Sequence, residues 1–325
     1  MALTTGASVT AIVPTVGRSP LLADSLAALR RDGGGRLRIV VVEQGGAVPG
    51  IPASLDVERV VAAKILGFAR AANLGIAAAA TPWIALMNDD AVPRAPWLGP
   101  LVAALERDAT TAAAQGVNLL HGEPRRIDGC GVAWNERWQA VQILHGRPAS
   151  DAPTVSREVF GVSATAAVYR RQALEEVAGD AGVFDPRLGS YYEDVDLACR
   201  LRAAGYRARL VAGAVCDHLG SSSLAERERL ALVYRNRYLV LARLLGRAFW
   251  PRLPVLLLRD LGALARAAAG GDRARAGAIG RGLAAAPRRL AGFASLGRPL
   301  LRPAQMRAGA SAAGAERSSA AGVAR

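Results

Sequence analysis

The order of apolar runs in the first third of the chain restricts its fold more than any other feature. Val9 to Thr15 (VTAIVPT), Leu37 to Val42 (LRIVVV), Val57 to Ala62 and Trp83 to Met87 (WIALM) are short, largely apolar runs. Runs of this length read as buried strands. Between them lie helical stretches. Ser19 to Arg31 predicts a helix with Ser19 as N-cap and Pro20 at its first position, Gly67 to Ala80 an Ala-rich helix, and Pro96 to Arg107 a third. Strands and helices alternating at this spacing predict βαβ units and a mostly parallel, Rossmann-like α/β sheet.

Beyond this point the pattern loosens. Thr110 to Leu119 reads as a strand, and the Gly, Pro and Trp content after it predicts loops and antiparallel strands. Val159 to Val177 reads as a strand plus helix. Glu193 to Ala204 reads as a helix with Leu197 and Leu201 on one face, followed by a strand over Arg207 to Val211. From Leu224 the character changes to a long helix, ending at Leu245, with Leu and Val on one side and Arg on the other. Phe249 to Ala269 is apolar but interrupted by Pro251, Arg252, Pro254, Arg259 and Asp260, short of the roughly 18 uninterrupted residues of a spanning helix. The expected division is an α/β domain over 1–223, an Arg-rich helical region over 224–302, and a disordered Ala/Gly/Ser/Arg tail over 303–325.

Charge follows the same division. Residues 1–220 carry 22 basic and 22 acidic side chains, whereas 221–325 carry 19 and 5, so the whole +14 excess lies in the last third. Cys130, Cys199 and Cys216 are far apart and have neither zinc nor disulfide spacing, which fits a reducing compartment. Met1 to Ala11 has no basic region and no long apolar run, so no signal peptide is expected. These features predict a cytoplasmic protein.

Three segments carry the chemistry. Asn88-Asp89-Asp90 follows a buried strand, at the sheet edge where open α/β folds bind ligands. A carboxylate there can hold Mg²⁺ or Mn²⁺ on a diphosphate, or can simply sit in a solvated turn. Tyr191-Tyr192-Glu193-Asp194-Val195-Asp196 opens a helix with three acids in four positions. Acids complement the helix dipole there, and an acid fixed at a helix N-terminus is also a well-aimed general base. Asp217-His218 precedes a Gly-Ser loop, Gly220 to Ser223. An imidazole at such an edge is structural or a metal ligand beside carboxylates.

Together these segments resemble family 2 glycosyltransferases of the GT-A fold, and within them the bacterial rhamnosyltransferase-like group. The resemblance runs from Val9 to about Leu245. Its most specific part is Gly182-Val183-Phe184-Asp185, then Tyr191 to Leu197, Arg200-Leu201 and Gly205-Tyr206. Next come Gly67-Phe68-Ala69-Arg70-Ala71-Ala72-Asn73-Leu74-Gly75, then Asn88-Asp89-Asp90 in the place of a D-x-D metal motif, and His218 in an H-x-G-S-S context.

The resemblance implies an inverting enzyme that moves a sugar from dTDP-rhamnose or a UDP-sugar to a hydroxyl of a glycan or lipid-linked acceptor in cell-envelope or polysaccharide synthesis. It implies Asp194 as general base, with Glu193 the second choice. Asp90 and His218 would hold Mg²⁺ or Mn²⁺. Pro14, Thr15, Glu43, Arg70, Asn73 and Asp89 would border the nucleotide, and Gly161 to Ala164 the sugar. The chain departs from the family pattern at Glu43-Gln44-Gly45-Gly46, where D-N-G-S is usual, and at Asn88, where the first acid of D-x-D stands.

Other readings have less behind them. A dinucleotide-dependent dehydrogenase needs Gly-x-Gly-x-x-Gly after the first strand, where this chain has Pro14-Thr15-Val16-Gly17-Arg18. No nucleic-acid motif accompanies the basic tail, so no nucleic-acid partner is expected, although Arg clusters alone attract phosphate. A degenerate member that binds nucleotide without transfer is the third. The Arg-rich region 224–302, with Phe249 and Trp250 on its apolar side, is expected either to lie against the anionic inner face of the plasma membrane or to be a solvated helical surface.

Overall fold

The computed structural model describes residues 9–49, 51–122, 125–220 and 224–290, together with 293, 299–301 and 306. The expected tail, 303–325, lies outside the described residues apart from Met306, as do Ser221 to Ser223. In chain order the elements are β1 (Val9–Thr15), α1 (Leu22–Gly33), β2 (Leu37–Gln44), β3 (Glu58–Ala62), α2 (Phe68–Ala78), β4 (Trp83–Met87), β5 (Ala91–Arg94), α3 (Leu98–Glu106) and β6 (Thr111–Leu120). They continue with β7 (Ile127–Gly129), β8 (Val132–Trp134), β9 (Ala140–Gln142), β10 (Arg157–Val159), β11 (Ala166–Arg170), α4 (Arg171–Glu176), α5 (Glu193–Ala203), β12 (Arg207–His218), α6 (Glu226–Leu245), α7 (Leu253–Ala269) and α8 (Arg273–Ala285).

The main sheet runs β10-β12-β6-β11-β4-β1-β2-β3, with β5 beside β12 and β7 beside β6. Strands β1, β2, β3, β4, β6 and β12 share one direction; β11 runs against β4 and β6 and lies between them. The mixed α/β architecture with a mostly parallel sheet is therefore as expected. Alternation explains the unbroken apolar runs. Ala11 and Val13 face the core under α1 and α3, while Ile12, Val40 and Val42 face the core under α2 and α5. Both faces of β1, β2 and β4 are covered, so neither needs polar residues; β3, at the sheet edge, is largely exposed where a buried strand is expected from the sequence. Helix α2 packs close to the sheet because residue 75 is glycine: a Cβ there would lie 2.2 Å from Ile12 Cγ2.

The C-terminal helices share this core. Tyr238, Leu241 and Leu245 of α6 and the following Phe249 belong to the same buried cluster as Ile12 and Leu197. Arg237, on the Arg-rich side of α6 expected to face a membrane or solvent, is instead buried and ion-paired with Asp260 of α7, which also accepts the Tyr238 hydroxyl at 2.6 Å. A buried charge of this kind persists only when paired.

Three local expectations are corrected. Ser19 does not cap α1, which begins at Leu22 after Leu21. The Ser19 hydroxyl donates instead to the Asp89 carbonyl at 2.8 Å while its oxygen accepts the Leu21 N–H at 3.1 Å. Pro254 does not interrupt α7, because it sits in the first turn, where its missing N–H has no helical partner to lose. Phe249 is fully buried and offers nothing to a membrane. Trp250 is exposed as expected, and α7 adds Val255, Leu257, Leu258 and Leu261 facing outward, Leu258 with 72% of its surface exposed. No described helix is long and apolar enough to cross a membrane.

Candidate active site

Two groups of polar side chains meet at the C-terminal edge of the parallel strands. The first is built by the ends of β1, β4 and β12. Thr15 closes β1 and donates its hydroxyl to Asp89 at 2.5 Å. Burial raises the Asp89 carboxyl to about 6, the neighbouring Asp90 charge adds to the rise, and the Thr15 hydrogen bond opposes it. Asp90 is buried, and its Oδ1 lies 3.1 Å from His218 Nε2. Register makes this meeting: β12 runs antiparallel to β5 with His218 opposite Ala91. The Asn88 amide nitrogen also approaches His218 Nε2, at 3.4 Å.

The other imidazole nitrogen, Nδ1, lies 2.9 Å from Asp128 Oδ2 on β7. Burial alone would push the imidazole down, but hydrogen bonds with Asp128 and Asp90 outweigh it and carry His218 up to about 9. Asp128 is absent from the sequence-derived site. Ile127-Asp128-Gly129 matches no motif, and only the β7–β6–β12 pairing brings it to His218.

The second group opens α5. Tyr191 and Tyr192 both adopt the left-handed conformation, with φ of 68° and 72°. The Tyr192 hydroxyl accepts the Ala140 N–H at 3.1 Å, and its ring packs on Trp134 with centroids 5.9 Å apart. Tyr192 thus braces the entry to α5. The three acids separate by environment. Asp196 is fully buried and paired with Arg200 at 2.9 Å and Arg243 at 2.9 Å. Asp194 is partly exposed and accepts the N–H groups of Val195 at 2.8 Å and Ala164 at 3.4 Å. Glu193 is buried, and its Oε2 has no hydrogen-bond partner among the described residues. Burial raises both the Glu193 and Asp194 carboxyls, and the Asp194 charge raises Glu193 further.

One short segment joins the two groups. The Ala164 N–H points at Asp194, and the next carbonyl, Thr165, accepts the Asn88 N–H at 2.8 Å. Gln115 pins this segment by accepting the Ser163 N–H at 2.6 Å. Gly161, just before it, packs so tightly on α5 that a Cβ would lie 2.4 Å from Ala198 Cβ.

The remaining sequence-derived candidates differ in availability. Pro14 is buried at the end of β1 and Arg70 is exposed on the first turn of α2. Glu43 is fully buried, held by the Arg59 guanidinium and the Val48 N–H, and these contacts lower its carboxyl, with Arg59 the larger influence. Asn73 donates to the carbonyls of Ala181 at 3.1 Å and Phe184 at 2.8 Å and accepts the Phe184 N–H at 2.9 Å. It thereby ties α2 to the Gly182-to-Asp185 motif. Among the described residues, no three His, Cys, Asp or Glu side chains gather as a metal cluster.

A model of glycosyl transferase family 2 matches residues 10–178. A pre-mycofactocin glycosyltransferase of Mycobacterium tuberculosis is 31% identical over 218 residues, covering 65% of this chain and 42% of that protein, so the chain spans less than half of this relative's length. Among solved structures, GalNAc-T7 with UDP, GalNAc and Mn²⁺ superimposes with a TM-score of 0.58 at 13% identity, covering 75% of this chain and 49% of the other. The mannosyltransferase PcManGT of Pyrobaculum calidifontis, in complex with GDP-Man and Mn²⁺, gives a TM-score of 0.50 at 19% identity, covering 95% and 87%. At these identities the structural likeness speaks for the GT-A fold.

Proposed function

Because the chain belongs to glycosyl transferase family 2, we propose that it is an inverting glycosyltransferase using a nucleoside-diphosphate sugar as donor and a hydroxyl-bearing glycan or lipid-linked acceptor. The observation that carries this reading is the segment Ser163 to Thr165, which touches the partly exposed Asp194 on one side and the Asn88-to-Asp90 turn on the other. A base and a diphosphate-binding edge on either side of one backbone segment suit a single displacement at the anomeric carbon. dTDP-rhamnose or a UDP-sugar is the proposed donor, and cell-envelope or polysaccharide synthesis the proposed setting.

Asp90 and His218 are the proposed holders of a divalent cation, Mg²⁺ or Mn²⁺. Asp90 Oδ1 and His218 Nε2, 3.1 Å apart, are an oxygen and a nitrogen donor close enough to share one cation. With one carboxylate and one imidazole, the chain would hold the cation only in part and would leave its remaining ligands to the donor and water. When bound, the cation neutralises charge developing on the leaving diphosphate. Asp194 removes the acceptor proton, aided by a carboxyl that burial holds above the ordinary range. Glu193, buried behind a charged neighbour, is the less suited base. Thr15 and Asp89 form the donor edge of the turn. Arg70 and Pro14 border the nucleotide, while Glu43 and Asn73, whose polar atoms are already engaged, shape that border from behind.

The outward apolar face of α7 supports a further part of the reading, peripheral contact of residues 224–302 with a membrane. Val255, Leu257, Leu258 and Leu261 are exposed there, with Arg259 and Arg266 exposed on the same helix. Apolar residues flanked by arginines suit the boundary of an anionic bilayer. A cytoplasmic protein docked on the inner face of the plasma membrane fits this surface.

Thermal shift against UDP, dTDP and GDP, each with Mn²⁺ or EDTA, tests the donor site. Stabilisation by one pyrimidine diphosphate, lost with EDTA and in Asp90→Ala, is expected. No shift with any diphosphate removes the reading, and binding without sugar release from any donor leaves a nucleotide-binding member that does not transfer.

A further inference from the structure

We propose that Asn236, on α6, is a positioning residue for the general base, acting through the loop Leu188 to Tyr191. The inference rests on Asp194 being that base.

The loop leads into α5 through two successive left-handed tyrosines. Residues with a Cβ avoid this conformation unless their surroundings over-determine it. The surroundings here are a set of donors that takes four carbonyls in a row. The buried Asn236 side-chain amide turns its two N–H groups to three carbonyls, Leu188 at 3.0 Å, Ser190 at 3.0 Å and Tyr191 at 2.7 Å, one N–H being shared. The carbonyl between them, Gly189, accepts the Ala69 N–H of α2 at 2.8 Å. Arg235 adds a second donor to Leu188 at 2.7 Å and, by donating to Asn236 Oδ1 at 2.8 Å, helps fix which way the amide faces. An amide oxygen turned towards these carbonyls would repel them, so the carbonyls and Arg235 set the orientation together.

Three carbonyls on one side-chain nitrogen hold the peptide planes of residues 188–191, and these planes set the φ values from which α5 starts. Asp194 stands in the first turn of that helix. Its direction towards the acceptor side therefore depends on a residue of the C-terminal region that touches no substrate. Arg243, two turns further along α6, pairs with Asp196 at 2.9 Å and with Asp185, so the body of α5 is held from the same helix.

The test uses the full chain and follows nucleoside diphosphate release from whichever donor stabilises it, dTDP-rhamnose or a UDP-sugar. Asn236→Ala removes the donors. It is expected to lower kcat about 10²-fold, to leave the affinity for the nucleoside diphosphate unchanged, and to shift the acid limb of the pH–rate profile. Combined with Asp194→Asn, it is expected to cause no loss beyond that of Asp194→Asn alone, because residues acting on one group are not additive. Losses that multiply in the double variant, or an unchanged kcat in Asn236→Ala, overturn the proposal. If Asn236→Ala does not fold, Arg235→Met reads the same clamp from its more exposed side; it is expected to give a smaller kcat loss with the same non-additivity, and a multiplying loss again overturns the proposal. Full activity of Asp194→Asn by itself instead overturns the base assignment.

Discussion

His218 and Asp128 meet through Nδ1 and Oδ2 at 2.9 Å, while the other face of the imidazole meets Asp90 at 3.1 Å. One histidine thus stands between two carboxylates, one on β7 and one in the turn between β4 and β5. Without a cation it is held protonated, at about 9 against an ordinary 6.5. A pKa raised on folding contributes stability that is fully present below about pH 6.5 and is lost as pH rises through 9. In EDTA, the melting temperature is therefore expected to fall between pH 6.5 and 9. His218→Gln should flatten this part of the curve; an equal slope in the variant would refute the assignment.

Asp128 touches the imidazole on the nitrogen that faces away from the proposed cation. A carboxylate in that place orients the ring and raises its basicity, and its loss typically weakens metal binding by about 10–100-fold. Asp128→Asn is expected to lower Mn²⁺ affinity by that factor, read by electron paramagnetic resonance of free Mn²⁺. Unchanged affinity would mean that His218 is not a ligand or does not need orienting.

Asp194 accepts two backbone N–H groups and remains partly exposed. Asp194→Asn keeps the shape and removes the base. Its turnover is expected to fall by about 10²–10⁴-fold with donor binding retained. Glu193→Gln, which keeps the shape of a buried carboxyl that burial and the Asp194 charge push toward its neutral form, should have the smaller effect on turnover. The reverse order would exchange the two roles.

Leu258 and Leu261 expose 72% and 52% of their surfaces. The full chain is expected to co-sediment with vesicles containing phosphatidylglycerol and less with phosphatidylcholine alone. Leu258→Glu with Leu261→Glu should abolish this and leave the nucleotide-induced thermal shift intact. Unchanged co-sedimentation would assign the binding to another surface, and concentration-dependent dimerisation cured by the same variant would assign α7 to a second copy of the chain.

The chain's own residues were enough to determine the α/β order, since buried strands and amphipathic helices are written in local periodicity. They also fixed where the acids of the site stand relative to those elements, because Asn88 to Asp90 follow a strand and Glu193 to Asp196 open a helix whatever surrounds them. Tertiary structure alone decided which polar groups remained available. Asp196 looks like Asp194 in sequence, yet two arginines consume it, one of them from α6. Asn73 lies in a matching binding motif and Glu43 stands where the family has an Asp, but they spend their polar atoms on the Phe184 backbone and on Arg59. Asp128 and Asn236 carry no local signal, because their roles arise from strand register and helix packing between residues far apart in sequence. Periodicity records which face of an element is buried; it does not record which partner meets a hydrogen-bonding group there, and that partner decides whether the group holds the fold or is left to bind and react.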